Sequence, residues 1–109
     1  AASGVRAVIY PAAIAVLHGT WEQVSAGFVP GGTTSNLEFV ADHLDPGGHD
    51  EPISLVLADP QTSGGLIFSI AEDRAADALE DLRTEGVAAE DVGELLAPGD
   101  GWAGQVFLR

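Results

Sequence analysis

The chain has no cysteine, no lysine and no methionine among its 109 residues, and only 6% of them are aromatic. Without cysteine there is no disulfide, no thiolate metal site and no cysteine nucleophile. A cytoplasmic home is compatible with that. Basic charge is almost missing: four basic residues stand against 17 acidic ones, for a formal charge of −13. Nucleic-acid binding rests on neutralising phosphates with Lys and Arg, so this balance argues against it, and equally against an anionic membrane surface. Acid excess reads first as a solvated surface that keeps the chain soluble. No apolar run approaches the ~18 residues of a membrane span, and "AASGVRAVIY" has no basic start followed by a long apolar stretch.

What is present fits a single domain over residues 1–109. "GVRAVIY" reads as a first strand ended by Pro11, and the sequence from Pro11 to about Phe28 is helical in flavour. Pro11 suits a first helical position, Gly19 breaks that piece, and Thr20 is the expected N-cap of the next. "VPGGTTSN" reads as a turn-rich interruption. Helix is expected to resume in "SNLEFVADHL", with Leu37, Val40 and Leu44 at roughly helical spacing. "DPGGHDEP" (45–52) reads as a surface loop, and "EPISLVLA" as a helix stopped by Asp59 and Pro60.

The second half is clearer. "GLIFSIA" has the length and apolarity of a buried strand. "EDRAADALEDLRTEG" reads as a helix, with Glu72 and Asp73 at its N-terminal dipole, Arg83 in its last turn and Gly86 ending it. Ala75, Leu79 and Leu82 form its apolar stripe, while Asp77, Glu80 and Asp81 belong to a solvated face. "AEDVGELLAP" supplies the next strand, completing an expected β-α-β unit. "PGDG" (98–101) is a turn, and "GQVFLR" is expected to return as a final antiparallel strand. The expected class is α/β (α+β) with one sheet.

Two glycine pairs carry the candidate chemistry, "PGGT" (30–33) and "TSGG" (62–65). Backbone N–H groups around such glycines form concave anion nests, to which Thr33, Asn36, Thr62 and Ser63 add side-chain donors. Neither loop is a G-x-G-x-x-G or Walker fingerprint, and a Gly-Gly pair is more often a turn device. His18, His43 and His49, with Asp42, Asp45 and Asp50 nearby, lack the spacing that orients imidazoles on a metal, so they read as a solvated loop. Ser63 has no visible His–Asp partners for a triad. Trp21 and Trp102 read as core or rim residues.

"LADPQTSGGLIFSI", taken with "VPGGTTSNLEFV" upstream and "ASGV" at the start, resembles the C-terminal domain of selenide, water dikinase, or selenophosphate synthetase. The resemblance runs from Ala2 to about Leu108, and the D-P-Q-T-S-G-G string is highly specific. The order of elements is also similar to the C-terminal module of the aminoimidazole ribonucleotide synthetase superfamily. That resemblance implies a three-layer α-β-α sandwich around one mixed sheet, partly ferredoxin-like. It implies an enzyme that makes selenophosphate, AMP and orthophosphate from selenide, ATP and water, using Mg2+, in the cytoplasm and as a homodimer. The family's reactive cysteine or selenocysteine, its lysine, its nucleotide loop and its magnesium-binding aspartates lie in an N-terminal catalytic domain. None of them is in this sequence, so the chain is expected to be catalytically incomplete and to bind neither ATP nor Mg2+ alone.

Under this resemblance Gly31, Gly32, Thr33, Asn36, Asp59, Gln61, Thr62, Ser63, Gly64 and Gly65 line the wall presented to that missing half. Asp59 is expected to orient its turn by accepting backbone N–H bonds, ahead of an indirect magnesium contact. The two loops should converge, leaving Thr33, Asn36, Thr62 and Ser63 at least partly accessible. One departure stands out: "GGTTSN" has Ser35 where the family often carries an arginine. If that arginine holds a phosphate, its loss removes a charge-assisted contact of roughly 1.5–3 kcal/mol. A non-catalytic relative serving interaction or regulation is therefore the alternative reading.

Overall fold

The structure, a computed structural model, describes residues 3–97, 99 and 103–109. The expected turn at 98–101, Gly99 apart, and Trp102 lie outside the described residues. Four strands form one mixed sheet in the order β2-β4-β1-β3. β1 (Arg6–Ile9) is interior, and Tyr10 and Pro11 end it as expected, because proline has no N–H to give the ladder. β3 (Gly93–Leu96) runs antiparallel to it, from Arg6 opposite Leu96 to Ile9 opposite Gly93. Tyr10 donates its hydroxyl to Glu94 Oε1 at 2.8 Å, fastening β3 further, and that bond raises the phenol's pKa above its ordinary value. β4 (Val106–Leu108) pairs with β1 and with the short β2 (Leu44–Asp45).

Both of those pairings are parallel. The expected antiparallel return of "GQVFLR" is thus corrected: its neighbour is β1, far away in sequence, and no hairpin turn fixes its direction.

The helices match expectation where local signals are strong. α4 (Glu72–Thr84) ends on Gly86 at φ 79, with Val87 N–H bonded to Leu82 O and Gly86 N–H to Arg83 O. That reciprocal pair is the Schellman closure that a left-handed glycine permits. Ala75, Leu79 and Leu82 are its half-buried stripe. α3 (Glu51–Leu57) follows a loop that shrinks to 46–50. Between Pro11 and Phe28 only a 3-10 turn, Pro11–Ala13, and α1 (Thr20–Ser25) form. Thr20 is not the cap but the first helical residue. Gly19, left-handed at φ 86, takes the cap position, and its carbonyl accepts the Gln23 N–H.

Two larger corrections concern the glycine loops. "PGGTTSN" is no interruption: α2 spans Gly31–Val40, with Pro30 as its extended N-cap residue. "GLIFSIA" lies in no strand, so the β-α-β unit does not form, and all of residues 61–71 are exposed. A strand exists only through its pairing, and this segment has no ladder among the described residues.

The consequence is an open molecule. Its radius of gyration is 15.0 Å, against about 13 Å for a compact chain of this length. Leu108, 1% exposed, is the one fully buried apolar residue among those described. Replacing Leu108 with alanine should therefore cost about 2–5 kcal/mol in a urea titration, while Leu17→Ala, at a residue 82% exposed, should stay within about 0.5 kcal/mol.

Where β2 ends, Asp45 Oδ1 accepts the Gly47 N–H at 2.9 Å and Oδ2 faces Arg109 Nη2 at 3.4 Å. The Gly47 bond is the largest influence on the Asp45 carboxyl and, with the Arg109 guanidinium, holds it below the usual carboxylate range although burial opposes them. A depressed carboxyl stabilises the fold above its unfolded pKa, and that stability is lost as pH falls through the folded value. Acid unfolding of Asp45→Asn should accordingly show a flatter pH dependence below pH about 4 than the parent chain.

Candidate functional site

Two helix ends meet at the candidate site. α3 stops after Leu57 because Pro60 cannot continue it, leaving terminal carbonyls without helical partners. α2 begins at Gly31 and leaves N–H groups free at its first turn. Asn36 Nδ2 donates to Ala58 O at 2.8 Å, satisfying one of those carbonyls from the neighbouring helix. Thr33 donates its hydroxyl to Asp59 Oδ1, also at 2.8 Å. The Thr33 side chain is buried, 1% exposed, and Asp59 is half-buried. A carboxylate beside the start of α2 is also favoured by the helix dipole.

The close approach needs a glycine at one position. A Cβ on Gly32 would lie 2.9 Å from Pro60 Cγ, so any side chain there would push the two ends apart. Gly31 and Gly65 differ. Neither has a positive φ, and neither has an atom within 4 Å of where a Cβ would stand. Nothing in the described chain demands glycine at either place. Gly64 faces only the movable end of Gln61.

The start of α2 thus meets residues 58–60, at the head of the second glycine motif, and the exposure of the four expected donors is uneven. Asn36, Gln61, Thr62, Ser63, Gly64 and Gly65 face solvent with Gly31 and Gly32, whereas Thr33 is buried. The burial follows from its bond to Asp59. That bond also corrects the part given to Asp59, whose carboxylate accepts a hydroxyl from across the junction rather than N–H groups of its own turn. Ser35 is exposed and turns its hydroxyl to Gly31 O at 3.3 Å, within α2. Trp21 sits at the rim, 41% exposed.

Behind the junction lies an apolar groove of about 510 Å³ between the sheet and α2 and α3, reached by Ile9, Leu37, Leu44, Leu57, Ile67 and Leu108. Sequence reasoning gave no sign of it, because it is assembled from residues far apart in the chain. Among the described residues, no three His, Asp or Glu side chains gather closely enough to hold a metal ion.

No protein-family model matches the chain. It is similar to curated selenide, water dikinases. That of Carboxydothermus hydrogenoformans is 38% identical over 88 residues, covering 80% of this chain and 26% of the relative. That of Clostridioides difficile is 30% identical over 101 residues, covering 91% and 29%. That of Myxococcus xanthus is 47% identical over 72 residues, covering 65% and 20%. The chain spans about a quarter of the length of the curated relatives it matches.

Thr33→Val keeps the shape and removes the donor, leaving the half-buried Asp59 carboxylate without that bond. It should destabilise the chain by about 1–3 kcal/mol. Thr62→Ala and Ser63→Ala, both exposed, should each stay within about 0.5 kcal/mol. Thermal and urea melts of the three variants decide between a tie at Thr33 and a junction held by packing alone.

Proposed function

We propose that this chain, a relative of the selenide, water dikinases over about a quarter of their length, is the C-terminal domain of such an enzyme. It forms one wall of the cleft in which ATP, selenide and water become selenophosphate, AMP and orthophosphate. The kinship supports the enzyme class. One structural observation supports the wall: Gly31, in the first turn of α2, and Gly65, in the second glycine motif, both have open space where a side chain would stand.

The cost of those glycines makes the point sharper. Glycine loses more backbone freedom than alanine when it is fixed in a helix, and α2 carries two in its first turn. Gly32 is required by Pro60; Gly31 is required by nothing inside the described chain. A neighbour's backbone, or a ligand held by that neighbour, pressed against residues 31 and 65 accounts for both. The Thr33–Asp59 bond then has a function beyond stability. It fixes the spacing of the two helix ends, and with it the surface formed by Gln61, Thr62 and Ser63.

The chain's own groups do not suit a nucleotide site. Its formal charge is −13, so an isolated polyphosphate is repelled rather than captured. The residues at the junction do not fit a magnesium site either, since Asp59 is the single carboxylate of the two motifs and already accepts the Thr33 hydroxyl. In this reading the N-terminal catalytic domain supplies nucleophile, nucleotide loop and metal ligands, and this domain positions and encloses. A second reading is favoured by Ser35, whose hydroxyl turns back onto its own helix and offers no cation to a phosphate: a relative kept for interaction rather than turnover.

The decisive comparison uses the full-length protein. Gly65→Ala should leave the melting temperature unchanged, because its Cβ meets nothing in the chain, yet lower selenide-dependent AMP formation at least about tenfold. Unchanged turnover would remove the wall. The 109-residue chain alone, given ATP, selenide and magnesium, should form no AMP above a buffer blank.

A further inference from the structure

Ser54 of α3 is a buried hydroxyl with nothing in the chain to bond. It is 7% exposed and makes no side-chain hydrogen bond among the described residues. Buried polar groups are normally paired, so one without a protein partner calls for a partner from outside. Ser54 lines the apolar groove of about 510 Å³ and also a smaller cavity of about 340 Å³, which shares Leu37 and Leu44 with it. Both volumes lie in the range of small-molecule sites, roughly 300–1,000 Å³.

The polar groups of the groove are few and of one kind. Besides Ser54 they are Asn36 and Asp59. Asn36 donates from Nδ2 to Ala58 O and keeps its Oδ1 as an acceptor. Asp59 accepts the Thr33 hydroxyl on Oδ1, and its Oδ2 takes no bond among the described residues. The Ala58 N–H bonds to Ser54 O at 3.0 Å, so Ser54 stands one helical turn before Ala58 and Asp59. Glu51 is the acid of the smaller cavity, and no Lys or Arg lines either among the described residues.

Acceptors that carry negative charge select a positively charged donor. No three His, Asp or Glu side chains gather for a metal ion among the described residues, and the walls are apolar, so the cation they suit is organic. We propose that the groove binds a small apolar molecule ending in an ammonium group. Its N–H donors serve Asp59, Asn36 and Ser54, and its hydrocarbon body lies along Leu37, Leu57 and Leu108. The formal charge of −13 draws such a cation in and repels a carboxylate or a phosphate. The chain's own apolar segment does not take the place. Ile67 reaches the groove and is still 75% accessible, while Leu66 and Phe68 do not line it. The proposal rests on the groove and not on the cleft reading, and it is tested by binding rather than turnover.

Hexylamine, hexanol and hexanoate, matched in length, are the probes, titrated into the 109-residue chain and followed by its amide chemical shifts. Hexylamine should saturate and move the amides of residues 36–37, 54–59 and 106–108. Its affinity should exceed that of hexanoate at least about tenfold, with hexanol between them. Asp59→Asn keeps an acceptor for Thr33 and should bring hexylamine down to the level of hexanol. Ser54→Ala, which removes an unbonded hydroxyl, should also weaken hexylamine with the circular dichroism unchanged, and carries the comparison should Asp59→Asn unfold. Glu38→Gln removes an exposed acid that does not line the groove, and should change nothing. Hexanoate bound as tightly as hexylamine, or no saturable shift with any probe, would overturn the proposal. An equal loss in Glu38→Gln and Asp59→Asn would mean a diffuse field rather than a site, and would overturn it too. So would slow hydrogen exchange at 66–68 without any probe, because the chain's own segment would then fill the groove.

Discussion

The hydrogen bond from the buried Thr33 hydroxyl to the Asp59 carboxylate fixes α2 against the end of α3, and the candidate site depends on it. It joins the first turn of α2 to the residue just past α3, at 2.8 Å, and the parallel bond from Asn36 to Ala58 prevents rotation about it. An ionised acceptor roughly doubles the strength of such a bond. With the two ends pinned, Leu37 and Val40 of α2 and Leu57 of α3 line one groove with Leu44 and Leu108. Without the pin, two glycines in the first turn would favour fraying of α2 into the loop that its composition suggests.

That loop-like composition explains why this part of the fold was the least legible in the sequence. Local propensity counts Gly31, Gly32, Thr33, Thr34, Ser35 and Asn36 against helix. The favourable terms are tertiary: Thr33 finds its acceptor at position 59 and Asn36 at 58, and no window along the chain contains both partners. α4 is the opposite case, since its acidic start, its stripe and its Gly86 closure are all local and all legible. β1 was legible too, but the direction of β4 was not, because a run such as "QVFLR" carries no information about which strand will lie beside it.

The segment "LIFSI" shows the limit of apolar periodicity. Its composition announces burial, which the described chain does not provide, so the sequence signal and the structure differ over who supplies the cover rather than over the chemistry of the residues. The site residues divide in the same manner. Types and order pointed to residues 30–36 and 59–65 as one unit, and the structure joins the first of these motifs to the head of the second, through Asp59 and Pro60. Which of them face outward was not readable: Thr33 and Thr62 look alike in sequence, and only one has an acid within reach.

Charge placement ties these features together. In a chain with 17 acidic residues, neither Gln23–Leu37 nor Pro60–Ala71 contains one, so the facing loops and the exposed segment form a neutral region on an acidic body. The nearest acid, Asp59, is half-buried with its charge engaged by Thr33. Acids elsewhere, such as those of α4, face solvent. Single-sign fields repel like-charged neighbours over roughly a Debye length of about 8–10 Å. An acidic neighbour or an anion held by it therefore meets least resistance where the carboxylates are absent or already bonded. The junction and the segment after it meet that condition, and it is there that glycines and apolar side chains stand open without an internal reason.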